Sequence, residues 1–220
     1  PSVSRADVPA VAGALDANGV RLCNLEVFPL DRDGGLERFR EGLEIGAALG
    51  AGRATAHIHD ADADQAVARF AAFAAYAAGF GIVAGLEFNA FSAITDLAAA
   101  ASIVRKAGVG SLVLDTLHLV RSGGGAADVA AVADLADYCQ LSDGPRRIEQ
   151  DQRWREAVAE RMIPGEGEFG IADLLRPLRG GTIIEIEVPQ KAAMIAGVSA
   201  EQRAGRAVAG GRRMLQEAFG

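Results

Sequence analysis

Residues 112 to 120 read LVLDTLHLV, and how they are read decides the fold. Leu112, Val113 and Leu114 form a short apolar run of the kind a parallel strand shows when both its faces are covered. Asp115 and His118 arrive before the apolar character has ended. A carboxylate in that position is costly unless something pairs with it or binds to it. The C-terminal ends of such strands are also where α/β barrels place their chemistry.

The same arrangement recurs along the chain. IVAGLEFN ends its strand on Glu87, YCQLSDG supplies Gln140 and Asp143, and TIIEIEVP supplies Glu185 and Glu187. Carboxylates brought together repel unless a divalent cation sits between them, so a metal is the expected partner of Asp115. Each residue also has an ordinary reading. A single acid at a strand end is commonly solvated or ion-paired, and Asp143, before Gly144 and Pro145, suits a turn. Glu185 and Glu187 share one face of a strand, so one primary ligand is expected of the two. His57 and His59, in AHIHD, also share a strand face. A histidine metal site needs more than these two and His118, so substrate contact or packing is expected of them. RSGGG, 121 to 125, offers backbone N–H groups to an anion, on the slender basis of a glycine run.

Outward from these clusters, strands and helices alternate. Strands are expected at Val20–Phe28, Arg53–Ile58, Gly81–Phe88, Ser111–Thr116, Leu135–Leu141 and Thr182–Val188. Helices are expected at Gly35–Leu49, Asp64–Ala78, Ser92–Ala107, Gly125–Val132, Ile171–Leu178 and Ala200–Phe219. The plan is α/β, with about six strand–helix units where a (β/α)8 TIM barrel has eight. PSVSRADVPAVAGAL reads as a helix with no strand before it. Either two units of a barrel are missing or the sheet is open and doubly wound. The polar segment 142 to 170 breaks the spacing, and 144 to 168 is expected to be a mobile lid hinged on its PGEGE glycines. Within it DQRWREAVAER has helical spacing, with Trp154, Ala157 and Val158 apolar.

The 220 residues are 50% hydrophobic with 5% aromatic, so aliphatic side chains must fill the core. A net charge of −7 argues against a nucleic-acid surface. Cys23 and Cys139 lie in apolar runs and read as buried thiols of a reducing compartment. No basic-plus-apolar leader opens the chain, and Arg69, Tyr76 and glycines interrupt the alanine-rich run from Val67 to Gly85. No membrane span is expected, and the expectation is a soluble cytoplasmic protein.

GLEFN, LVLDTLHLVRSGG, YCQLSDGP, RMIPGEGEFGIADLL and TIIEIEVP, in this order, resemble the xylose isomerase-like TIM barrels, the sugar phosphate isomerase/epimerase superfamily. The resemblance covers nearly the whole chain from Val20. It implies a single TIM-barrel domain over 1–220 whose first two strand–helix units precede Pro1. It implies one divalent metal (Mg, Mn or Co, with Zn as the remaining option) held by Glu87, Asp115, Gln140 and Glu187. Glu187 is preferred to Glu185 because IEVP matches the end of the family's last strand. Glu87 and Glu187 would also exchange a substrate proton. His118 would contact substrate, with Arg161 and His57 also binding it. The implied activity is isomerisation or epimerisation of a small keto-sugar or related polyhydroxy carbonyl compound through an enediolate.

Two departures bear on the reaction. Gln140 stands where the sugar isomerases carry a metal-binding His, and EFNAFSA has Ala93 where ketohexose epimerases carry a second Glu. Gln at that position resembles the superfamily's 3-dehydroshikimate dehydratases, with their VQLxDAP segment, which makes a lyase the alternative. An abasic-site endonuclease would require more than three histidines and a basic surface. A non-catalytic binding barrel would tolerate a lost ligand, and none is lost outright. The expected partner is a small-molecule substrate, with neither nucleic acid nor membrane, and homo-oligomerisation is left open.

Overall fold

Strand and helix alternate through the computed structural model, which describes residues 3–31, 34–59 and 62–220. The chain divides into two units, Pro1–Leu112 and Val113–Gly220. The first holds α1 (Val8–Ala17), β1 (Asn24–Leu30), α2 (Arg40–Ala48), β2 (Arg53–Ile58), α3 (Ala63–Ala78), β3 (Val83–Glu87) and α4 (Leu97–Ala107). Its strands run parallel in chain order, with Leu25 beside Ala54 and Thr55 beside Gly85. The helices begin and end where the sequence supplies caps. The Asp62 carboxylate accepts from the Asp64 and Gln65 N–H groups, Asp96 caps α4, and Gly108 ends it at φ +67.

Core packing in this unit follows helical periodicity. Ala66, Phe70, Phe73 and Ala77 are buried along α3, and Leu97, Ala100, Ala101 and Val104 along α4. Phe73 meets Phe28 and Phe39 at ring-centroid distances of 5.2 and 5.8 Å. Each such burial contributes about 1.5–3 kcal/mol. Ala84, Gly85, Leu86 and Glu87 are buried at successive positions of β3, as expected of a strand covered on both faces.

β4 (Ser111–Asp115) leads into the second unit, which continues through α5 (Thr116–Arg121), α6 (Ala126–Val132) and β5 (Ala136–Leu141). Beyond these lie α7 (Arg153–Ala159), α8 (Ile171–Leu175), β6 (Ile183–Ile186), α9 (Lys191–Ile195) and α10 (Ala200–Phe219). β4, β5 and β6 lie in chain order, β5 and β6 parallel with Gln140 beside Glu185. Doubly wound sheets reverse strand order at a switch point, and neither unit does. Each strand therefore directs its C-terminal end into a strand–helix loop. Among the described residues no helix is long and apolar enough to cross a membrane.

Several expectations are corrected. β1 starts at Asn24 rather than Val20, and Cys23 is exposed whereas Cys139 is buried. α4 starts at Leu97, because Asp96 rather than Ser92 supplies the cap. β4 stops at Asp115, and Thr116 opens a helix instead of ending the strand. The segment 144 to 168, expected to be a lid, is tied by hydrogen bonds at both ends. Asp143 and Met162 exchange two backbone hydrogen bonds of 2.9 Å, Glu168 N–H donates to the Gly144 carbonyl at 2.8 Å, and Arg161 N–H to the Pro189 carbonyl at 3.0 Å. Within it α7 buries Glu156 and Ala157 and leaves Trp154 and Val158 exposed.

Asp143 closes the base of that segment. Its Oδ1 accepts from the N–H groups of Gly144 and Phe169 at 2.9 and 3.0 Å, and Oδ2 from that of Gly165 at 2.9 Å. Gly167 is glycine because a Cβ there would run into the Asp143 carboxylate and the Gly144 backbone. Asp143→Ala removes the acceptor from three backbone donors. The expected loss is about 2–4 kcal/mol of unfolding free energy, measured by urea denaturation followed by circular dichroism. Unchanged stability would mean that water replaces the carboxylate.

Candidate active site

Asp115 has no exposed surface, and its charge is met from two directions. Its Oδ1 caps α5, accepting from the N–H groups of Leu117 at 2.6 Å and His118 at 3.2 Å. Its Oδ2 accepts from Arg161 Nη1 at 2.7 Å. Burial pushes the carboxyl upward. The Arg161 guanidinium, then His118, then the hydrogen bonds from Arg161 and the His118 N–H act the other way and hold it below the ordinary carboxylate value. The partner supplied by the chain itself is therefore an arginine and a helix N-terminus.

Arg161 is buried as well and holds more than Asp115. Nη1 donates to Glu187 Oε2 at 3.1 Å, and Nε donates to the Ala157 carbonyl at 3.0 Å. Asp115 and Glu187 thus converge on one cationic nitrogen. Glu185 does otherwise, accepting from Gln140 Nε2 at 3.1 Å. The two glutamates of TIIEIEVP have different partners, and Glu187 is the one grouped with Asp115. His118 brings Nε2 to 3.9 Å from Asp115 Oδ2. Thr116 fixes the approach of β5: its hydroxyl donates to the Ser142 carbonyl at 2.8 Å and accepts from the Ser142 N–H at 3.0 Å. Burial and the Asp115 charge push the Cys139 thiol up, so it stays protonated and unreactive.

In the first unit a chain of contacts orients Glu87. Phe91 N–H donates to Asn89 Oδ1 at 3.0 Å, which turns the amide nitrogen of Asn89 toward His57 Nδ1 at 3.4 Å. Nδ1 then accepts, and Nε2–H donates to Glu87 Oε2. His57 so placed is a positioning group for a buried carboxylate, and the exposed His59 meets its ring edge-on, 6.3 Å between centroids. Asn89 and Thr116 were not singled out from the sequence. The only signal for Asn89 was its place at the end of GLEFN, two residues past the acid.

No protein-family model matches the sequence, and no curated protein matches it. Solved structures do. The IolI protein with a bound zinc atom superposes with a TM-score of 0.79 at 15% identity, over 96% of this chain and 82% of that one. D-psicose 3-epimerase, solved in the presence of D-fructose, gives 0.74 at 16% identity, over 99% and 86%. A xylose isomerase-like TIM barrel/4-hydroxyphenylpyruvate dioxygenase fusion protein gives 0.72 at 18% identity over 83% of this chain, which spans only 32% of the fusion. These likenesses establish the fold alone, that of a TIM barrel, of which the described residues carry six strands.

Arg161→Leu strands Asp115 as a buried, unpaired charge. In protein stripped of metal the expected cost is about 3–5 kcal/mol by urea denaturation. Adding Asp115→Asn should recover part of that loss, because a neutral amide needs no counter-charge.

Proposed function

We propose that this chain is a divalent-metal-dependent isomerase or epimerase acting on a small keto-sugar or related polyhydroxy carbonyl substrate. The observation that supports the reading best is the convergence of Asp115 and Glu187 on one point, 2.7 and 3.1 Å from the same guanidinium nitrogen. Two carboxylates gathered on one cation fit a hard divalent ion, and Gln140 adds an amide oxygen donor. Glu87, buried at the end of β3, completes the proposed set by its place in the order of strand ends. Oxygen donors favour Mg, Mn or Co, and zinc is kept because the similar IolI protein holds it.

Such an ion, when bound, supplies a Lewis acid that acidifies the C–H between a carbonyl and a neighbouring hydroxyl. The chain's own groups do the rest. Glu87 and Glu187 take and return the proton, and His57 keeps Glu87 in one orientation. His118 contacts the substrate beside Asp115. Arg161, relieved of neutralising the acids, offers its guanidinium to a substrate oxygen that gains negative charge. The second reading is a lyase of the 3-dehydroshikimate dehydratase type. It is favoured by Gln140 standing where the sugar isomerases carry a histidine, its amide nitrogen donating to Glu185.

The test is elemental analysis of the purified protein together with turnover on a panel of keto-sugars and 3-dehydroshikimate. About one divalent ion per chain and epimerised sugar are expected. Dehydration of 3-dehydroshikimate alone would select the lyase, and absence of both metal and turnover would sink both readings. Gln140→His should keep the metal and alter the rate, because imidazole donates more strongly than an amide oxygen. Arg161→Ala should lower turnover about 10²-fold or more with metal content unchanged.

A further inference from the structure

A cavity of about 550 Å³ opens between the end of α5 and the loop before α7, and Arg121, Arg146, Arg147 and Arg153 line it against a single acid, Glu149. The volume falls in the range of small-molecule sites. None of the proposed metal or substrate residues lines it. In a chain of net charge −7, four arginines around one cavity run against the background.

The four are not equivalent. Arg121 is already committed: its Nε donates to Glu156 Oε2 at 2.7 Å, Nη2 to the Pro145 carbonyl at 2.9 Å, and its guanidinium stacks 4.9 Å from the centre of the Phe169 ring. That ion pair is buried and builds the back wall. Arg146 and Arg147 project from the exposed loop, and no ion pair involves either side chain among the described residues. Arg153 Nε is buried with no hydrogen-bond partner among them.

We infer that this cavity binds a small organic polyanion through Arg146, Arg147 and Arg153. Planar guanidinium forks suit both carboxylate and phosphate oxygens, so the shared chemistry is a compact di- or trianion. The cavity also touches both elements that hold Asp115. Arg121 ends the helix that Asp115 caps, and Arg153 opens the helix whose Ala157 carbonyl holds Arg161. An occupant would therefore brace the Asp115–Arg161 pair from behind.

The experiment is calorimetric titration of the full chain, stripped of metal and dialysed, so that its outcome is independent of the metal reading. Citrate and glucose 6-phosphate are the two polyanion probes and glucose the neutral one. One polyanion should bind, more weakly as salt is raised, and glucose should not, with the better probe telling carboxylate from phosphate. Arg147→Ala, at an exposed position that leaves folding intact, should weaken binding about tenfold or more, the scale of one charged hydrogen bond. Arg153→Lys, which keeps the charge but loses the fork, should weaken it similarly. No binding of either polyanion, or equal binding by the parent and both variants, would leave a solvated arginine cluster and overturn the inference.

Discussion

A carboxylate with no access to water must find its counter-charge inside the protein, and Asp115 finds it 46 residues away in Arg161. Much of the second unit is arranged around that requirement. The helix after β4 starts where it does because Asp115 serves as its cap. The segment after β5 must return far enough to deliver Arg161, and two backbone bridges, Asp143 with Met162 and Glu160 with Gln190, hold it there. Glu187 shares the guanidinium, so the end of β6 is tied to the end of β4 through one side chain. Buried ion pairs of this kind add little net stability over an apolar replacement, because desolvation offsets most of the attraction. Retaining one fits a site whose acids have work other than folding.

The strand ends were legible because polar residues interrupt runs that are otherwise apolar: Glu87 and Asp115 end β3 and β4, Gln140 is the last residue but one of β5, and Glu187 follows β6. The fold class followed from the same runs. Other features were hidden for physical reasons. TLHLVR is apolar enough to continue a strand or to begin a helix, and periodicity over so short a stretch cannot separate the two. Only the cap geometry of Asp115 decides it. The apolar start at Val20 suggested a strand, but Val20 is 53% exposed and pairing begins at Asn24. Trp154 and Val158 suggested the inner face of α7, whereas the helix turns Glu156 inward to meet Arg121. At α7 a distant polar partner outweighed local hydrophobicity.

The same limit applies to the candidate site. The residue types were readable, the pairings were not. Alternation in TIIEIEVP does not separate Glu185 from Glu187, and the preference for Glu187 came only from the resemblance of IEVP. The distinction comes from Gln140 taking one and Arg161 the other. Likewise the two histidines of AHIHD look alike in sequence, and only Asn89 and Glu87 on either side of His57 give it a tautomer and a task.

The clamp at the base of the 144–168 segment has a consequence for how such a protein can change. Asp143, Gly167 and the Met162 bridge fasten the two ends of the segment to each other, so the backbone at Arg161 is set at the root, while α7 holds its side chain through the Ala157 carbonyl. Charge exposed between Arg147 and Gln152 can therefore vary in what it attracts from solution while the root keeps the chain at Arg161 in register.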